Sequence, residues 1–149
     1  TNAFAKKWFD VEDISPGRGI ILMTNDLPEL KVNSCFHYNE GYYYFRNVGR
    51  KLLIGGGREI DKNKETTFSF GINKTIRQKL INDIQTFIIP NMDFNIECEW
   101  SGIMGFGKIK LPLIKKVSEN ISLGVRLGGM GISIGSIIGE KTANLILNK

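Results

Sequence analysis

The sequence predicts an α+β fold, in which a mostly antiparallel sheet is covered by helices and the chain ends in a glycine-rich helix. Three observations carry this prediction. Short apolar and aromatic runs separated by turn residues fill the first third of the chain, one helical pattern lies near its middle, and a second follows at its end. Strands, helix, strands and helix in this order lack the regular alternation that builds a parallel sheet.

The first predicted strands form an antiparallel meander. "SPGRG" (residues 15–19) has turn chemistry and leads into "IILMT", a short apolar strand. "CFHYNEGYYYFR" predicts two aromatic strands around a tight Asn-Glu-Gly turn, and "RKLLIGGG" predicts a third strand after the next turn. Since side chains alternate along a strand, Tyr42 and Tyr44 are expected on one side, and Tyr43 and Phe45 on the other.

Two segments have helical periodicity. Apolar residues recur at helical spacing after Asn73, a good N-cap, and Pro90 ends the run; these residues are Ile76, Leu80, Ile84 and Phe87. Strand-like "FNIECEW" and "NISLGVRL" come next, and the final helix is predicted from about Gly131 to Leu147.

Length and composition limit the class of protein. A chain of 149 residues fits one domain, residues 1–149. Cys35 and Cys98 show no metal-binding spacing and the chain has one histidine, so neither a disulfide scaffold nor a metal site is predicted. We therefore expect a reducing, cytoplasmic location. No apolar run reaches membrane-spanning length, because Arg126 interrupts the best candidate, so no membrane partner is predicted.

The net charge of +5 favours contact with anions. Its Lys and Arg residues are scattered among Asp and Glu, which is typical of a solvated surface, and no nucleic-acid partner is predicted. One alternative stays open, a platform for single-stranded nucleic acid made of the Tyr42–Phe45 aromatics with Arg46 and Arg50.

The most informative segment is "LGVRLGGMGISIGSIIGEK", residues 123–141, where glycines lie between a strand and a helix. A dinucleotide-binding turn has this shape, but only 14 residues of the sequence follow Gly135, so no second strand and no ribose-binding acid about 20 residues further on can complete the βαβ unit. What remains is a helix N-terminus whose free N–H groups an anionic or electron-rich ligand can approach. A tightly packed C-terminal helix is the alternative, because small residues repeat every four positions from Gly131 to Ala143.

Four segments resemble a known family. "RLGGMGISIGSIIGEKTANLIL" is similar to the C-terminal flavin-contacting segment of FAD-dependent oxidoreductases of the D-amino-acid oxidase and glycine oxidase type. "SPGRG" resembles that family's Pro-x-Arg-Gly turn, "GYYYFRNVGRKLLIGGG" its aromatic and glycine-ended strands, and "IIPNMDFNIECEWSGI" its Pro-then-Trp-x-Gly stretch. The four occur in the family's order.

The resemblance implies that the chain is the C-terminal, substrate-binding portion of such an enzyme. The family's FAD dinucleotide-binding domain is absent from these residues and would be the missing N-terminal partner. FAD would be the cofactor of the full-length protein, which would transfer a hydride from an amine or related small molecule to flavin. The fragment alone is expected to be inactive and to hold FAD weakly or not at all. The sequence does not indicate the oligomeric state.

The resemblance also implies site residues. The loop at the pyrimidine end of flavin corresponds to Gly128, Gly129, Met130, Gly131 and Ile132. No catalytic side chain is predicted, because in this family the chemistry belongs to the flavin.

Four side chains are further candidates. Arg18 is placed either at the flavin edge or as the cap of a turn. Tyr42 and Arg46 lie on the strand that presents substrate-side aromatics. Arg126, at the end of an apolar strand, is a candidate for a substrate anion, and as a buried charge it needs a partner.

The chain departs from the family's pattern at two places. Met104 stands where amino-acid oxidising members carry an arginine that grips the substrate carboxylate. Gly129 and Met130 replace polar residues before the final glycine. An α-amino acid substrate is therefore in doubt, whereas an amine or related small molecule is not.

Overall fold

The computed structural model describes residues 2–147 and confirms the α+β class. Contacts divide the chain into two compact units. Of the described residues, the terminal unit contains 2–17, Thr66–Phe68 and 103–147. The central unit contains Arg18–Glu65 and Ser69–Gly102. The prediction of a single substrate-binding domain stays a prediction.

Five strands form one sheet in the order β2-β3-β4-β1-β5. They are β1 (Ser15–Thr24), β2 (Phe36–Tyr38), β3 (Tyr43–Val48), β4 (Lys51–Gly56) and β5 (Ile96–Phe106). The pairs β2–β3, β3–β4 and β1–β4 are antiparallel, as the meander predicted.

The prediction of a turn at residues 15–19 is wrong, because this segment is the beginning of β1. Pro16 lies at the second position of the strand, near the end where a missing N–H donor is tolerated. The N–H of Arg18 donates to the carbonyl of Glu65 at 2.8 Å, a contact between distant residues that keeps the backbone extended.

Helix α1 (Lys74–Asp83) covers the core of the central unit and confirms the predicted helix start. The side chain of Asn73 accepts hydrogen bonds from the N–H groups of Thr75 and Ile76, which is an N-cap. One face of α1 packs with the sheet in a buried cluster that includes Ile76, Leu80, Ile84, Ile20, Leu22, Leu52 and Ile54.

Helix α1 continues into a π-helical turn, Ile84–Ile88, which ends before Pro90 as predicted. The N–H of Ile89 donates to the carbonyl of Ile84, five residues back, at 2.9 Å. This wider turn adds a residue to the helical repeat and rotates the side chains in it away from the face set by α1. Phe87, predicted on the apolar face, is consequently half exposed and meets the ring of Tyr38 edge-on, with 5.1 Å between centroids.

The terminal unit pairs β6 (Leu113–Ser118) with β7 (Ile121–Val125) in an antiparallel hairpin, against which α2 (Gly131–Leu147) packs. The bounds predicted for the last helix are confirmed. A 3₁₀ turn, Asn2–Lys7, precedes a small core made by Ala5, Val11, Ile14, Leu123 and Val125. No residue of α2 is buried among residues 131–147, and a Cβ added at Gly135 or Gly139 would meet nothing within 4 Å.

Residues 2–147 contain no membrane-spanning helix and no cluster of metal-ligating side chains. Neither α1 nor α2 is long and apolar enough to cross a membrane. Over the same residues, no three His, Cys, Asp or Glu side chains are grouped so as to hold a metal ion.

Candidate functional site

The loop between β7 and α2 has a left-handed backbone. Gly128 has φ +58° and Gly129 has φ +88°, in the region that glycine adopts without steric cost. The space beside Gly128 is open, since an added Cβ would meet nothing within 4 Å. Met104 lies beside this loop, with its sulfur 3.5 Å from the position of a Cβ on Gly129. The glycines are therefore required by the backbone turn rather than by close packing.

Several N–H groups at the start of α2 are free. Met130 N–H donates to the carbonyl of Leu127 at 2.9 Å. By contrast, the N–H groups of Gly129, Gly131 and Ile132 meet no acceptor within residues 2–147. The side chains of Met130 and Ile132 are exposed. This end of the helix is thus an open set of donors at the positive end of a helix dipole.

A network of contacts fixes the chain just before the loop. Arg126 is buried, and its Nη1 donates to the Asp13 carboxylate at 2.6 Å while its Nε donates to the Leu111 carbonyl at 2.8 Å. The backbone N–H groups of Arg126 and Leu127 donate to Oδ1 of Asn2, at 2.9 and 3.4 Å. The predicted need of Arg126 for a partner is confirmed, and Asp13 is that partner.

Arg18 lies on β1 in the central unit and is engaged by a buried carboxylate. Its Nε and Nη2 donate to the two oxygens of Glu65, each at 2.8 Å, and its Nη1 donates to the Ser69 carbonyl at 3.2 Å. Arg18 lies within β1 rather than in a turn of its own, and its guanidinium contacts the turn that contains Glu65. Its approach to a flavin edge stays a prediction.

Glu65 is fully buried and also accepts a hydrogen bond from Nδ2 of Asn73 at 2.8 Å. Burial alone would raise the pKa of Glu65, but the hydrogen bonds from Arg18 and Asn73 outweigh it and lower this pKa. The hydrogen bond to Glu65 raises the pKa of Arg18, against the opposing effect of burial. Both groups are therefore charged, and they join β1 to the start of α1.

Tyr42 and Arg46 both belong to the central unit. Tyr42 is exposed in the turn before β3, and Arg46 is exposed on β3 opposite Leu53. Tyr43, the residue after Tyr42, is buried on the opposite side of the strand, so the predicted alternation is confirmed. Arg126 and the loop of Gly128 to Ile132 belong to the terminal unit.

Sequence reasoning did not assign Tyr44 to the substrate site, although Tyr44 shares the face of Tyr42 and Arg46. Its ring lies across Gly55, its partner on β4, because a Cβ there would be 2.6 Å from the Tyr44 hydroxyl oxygen. Burial raises the pKa of Tyr44. The signal that could have identified Tyr44 is an aromatic residue on one strand of the hairpin that pairs in register with a glycine on the other.

A separate cavity of about 490 Å³ lies in the central unit and contains none of the predicted site residues. Its lining includes Lys31, Phe36, Phe45, Phe87 and Met92.

The family model for FAD dependent oxidoreductases matches residues 1–145. This match covers nearly the whole chain, and the chain belongs to that family. The resemblance to the D-amino-acid oxidase and glycine oxidase type is thereby confirmed at the level of fold. Comparison with curated protein sequences gives no match.

Solved structures share the fold. L-proline dehydrogenase from P. horikoshii has 16% identity and a TM-score of 0.76, over 98% of this chain and 41% of that one. Iminodiacetate oxidase from Chelativorans sp. BNC1 has 16% identity and a TM-score of 0.77, over 99% and 40%. Glycine oxidase from Geobacillus kaustophilus has 18% identity and a TM-score of 0.74, over 98% and 38%. The chain thus spans about 40% of the length of these proteins.

Proposed function

We propose that this chain supplies the substrate-binding surface and a flavin-facing loop of an FAD-dependent enzyme that oxidises an amine or related small molecule. The observation that carries the proposal is the open, left-handed loop at Gly128 and Gly129, followed by the free N–H groups of Gly131 and Ile132. Membership of the FAD-dependent oxidoreductase family supports the cofactor. The similar structures are named as enzymes of proline, iminodiacetate and glycine, which supports an amine-type substrate.

The loop fits the pyrimidine edge of a flavin. FAD, when bound, would supply the acceptor for the substrate's hydride. Gly129, Gly131 and Ile132 would donate their N–H groups where negative charge grows during reduction, and the α2 dipole would add to this stabilisation. The side chain of Met130 would lie at the same place and contribute an apolar contact. Because Gly128 has no Cβ, the flavin would be able to approach the backbone closely.

Substrate contacts are assigned to the sheet face of the central unit. Tyr42 would supply an exposed aromatic surface, and Arg46 a cation. We propose a different role for Arg126, whose Nη1 and Nε are occupied by Asp13 and Leu111. It would hold the flavin-facing loop in place, and a direct contact with substrate stays a prediction.

The rest of the flavin site would lie in another part of the protein. The similar structures are more than twice as long as this chain, which supports a partner domain that binds the FAD dinucleotide. We therefore propose that the chain by itself is inactive.

The test is the absorption spectrum of the native protein, produced with all the sequence that flanks this chain. The expected result is the spectrum of bound oxidised flavin, which bleaches when a small amine is added without oxygen. A folded protein that is colourless and takes up no added FAD would overturn the proposal. Tight, salt-sensitive binding of an oligonucleotide by that colourless protein would support the nucleic-acid alternative.

A further inference from the structure

The cavity of about 490 Å³ in the central unit shares no residue with the loop and side chains proposed for flavin and substrate. One of its walls comes from β2 and β3. Phe36 and Phe45 are partners in register there, and their rings stack with 4.8 Å between centroids. Because the stack holds both rings in place, this wall is a fixed apolar surface.

A second wall of the cavity comes from the end of the helical segment. The π-helical turn contributes Phe87 and Ile88, and Pro90 follows shortly after it. Turns of this kind are frequent at functional sites, so its position beside a cavity points to a ligand. The ring of Phe87 is half exposed, yet its edge contact with Tyr38 holds it in place. It can therefore pack against a small apolar group without rearrangement.

Two side chains of opposite charge line the same cavity and have no protein partner. They are Glu29 and Lys31, and both are exposed. Within residues 2–147, neither forms an ion pair or a side-chain hydrogen bond, and they do not pair with each other. Other charges of the central unit are engaged, as Lys51 is with Glu97. The cavity therefore offers a free carboxylate and a free ammonium group beside its apolar walls.

We propose that this cavity binds a small zwitterion that carries a large apolar group, of which an aromatic α-amino acid is the simplest example. The apolar group packs against Phe36, Phe45 and Phe87. Lys31 donates N–H groups to the ligand's carboxylate, and the ligand's ammonium group donates to Glu29. The aromatic faces and the negative end of the helix dipole also favour an ammonium group. The site is separate from the proposed flavin reaction, and binding requires no flavin.

Three probes test the site in the native protein: phenylalanine, phenethylamine and 3-phenylpropanoate. The second lacks the carboxylate and the third lacks the ammonium group, while all three carry the same ring. Affinity is read from the NMR signal of the Met92 methyl group, because Met92 lines the cavity. We expect phenylalanine to bind about tenfold more tightly than the other two, since each of them loses one charge-assisted contact.

Variants of the two charged residues identify the contacts. Glu29→Gln and Lys31→Met should each weaken phenylalanine about threefold to tenfold. Glu29→Gln should not weaken 3-phenylpropanoate, and Lys31→Met should not weaken phenethylamine, because each probe lacks the group that the altered residue contacts. Glu119→Gln and Lys116→Met are the matched controls, since both residues are exposed charges of the terminal unit, and they should leave all three affinities unchanged.

The site is overturned if the Met92 signal does not respond to phenylalanine, or if phenylalanine and phenethylamine bind equally. A response of Met130 alone would place phenylalanine at the flavin-facing loop and would also overturn it. Equal losses from the control variants would show a general attraction and would have the same meaning. Failure of the proposed function gives a different result. A colourless native protein that binds phenylalanine through Glu29 and Lys31 retains this site and loses the oxidoreductase assignment.

Discussion

Arg126 and Asp13 form an ion pair across 113 positions of sequence, with 2.6 Å between Nη1 and Oδ2. Both residues have left-handed backbones, at φ +62° and φ +54°, which non-glycine residues rarely adopt. Asp13 also accepts the N–H of Lys108 at 2.8 Å through Oδ1. The ion pair therefore compensates for two unfavourable backbone conformations and fixes the chain that enters the loop before α2.

Replacement of Asp13 by Asn should lower the free energy of unfolding by about 1–3 kcal/mol, because a buried guanidinium loses its counter-charge. The measurement is urea unfolding, followed by circular dichroism. Lys64→Met is the control, since Lys64 and Asp61 form an ion pair whose lysine side chain is 78% exposed. That variant should change stability by less than about 1 kcal/mol. Equal losses from both variants would show that the Arg126–Asp13 pair has no special structural role.

Gly55→Ala should destabilise the protein by about 1–3 kcal/mol, because the new methyl group collides with the Tyr44 ring and with Ile21. Gly102→Ala on β5 is the control, since a Cβ there meets nothing within 4 Å. Its effect should stay within about 0.5 kcal/mol. Denaturant unfolding compares the two variants, and a Gly55→Ala protein as stable as the control would contradict the position of Tyr44.

Glu65 should make unfolding depend on pH in the acid range. The pKa of Glu65 is lower in the folded protein than its ordinary value of 4.5, so the unfolded chain binds the proton first as pH falls. The stabilisation is complete above that ordinary value and is lost as pH falls through the lowered pKa. Glu65→Gln should therefore flatten the acid side of a plot of stability against pH.

A double-mutant cycle with Arg18→Met identifies the source of this dependence. The coupling free energy between Glu65 and Arg18 should be favourable at pH 7 and should shrink as pH falls below the ordinary pKa of glutamate. A coupling that does not change over this range would contradict the charged state of the pair.

Gly128→Ala should weaken FAD binding by the native protein about tenfold, because an alanine in the left-handed region costs about 1–2 kcal/mol and displaces the loop. Gly49→Ala is a close control. Gly49 has φ +60°, against +58° for Gly128, and both have open space where the Cβ would lie. Both variants should lose similar stability, but only Gly128→Ala should raise the dissociation constant for FAD, measured by fluorescence titration. If the Gly128→Ala and Gly49→Ala proteins bind FAD with equal affinity, the loop is not part of the flavin site.

Local patterns in the sequence predicted much of this fold. The alternation along β3, the Asn73 cap, the stop at Pro90 and the bounds of α2 are all properties of neighbouring residues. The segment at residues 15–19 was mispredicted because a distant partner, Glu65, keeps it extended. Phe87 left its predicted face because the π-helical turn changed the helical repeat.

The candidate site was less predictable for the same reason. Glycine-rich spacing located the loop before α2, but no spacing rule connects Arg126 to Asp13 or Arg18 to Glu65. The sequence did not distinguish Tyr44 from the neighbouring aromatic residues, because the feature that sets it apart is its pairing with Gly55 on β4. These side chains are positioned by contacts between segments that are far apart in sequence, and local periodicity does not reveal such contacts.

Helix α2 exposes large apolar side chains to solvent. The relative solvent accessibility is 104% for Ile132, 55% for Ile137 and 74% for Leu147. Exposed apolar patches of this kind are uncommon on monomeric proteins, because association of two such patches removes apolar surface from water. The isolated polypeptide should consequently sediment faster as its concentration rises, and a mild detergent below its micelle threshold should reverse that trend.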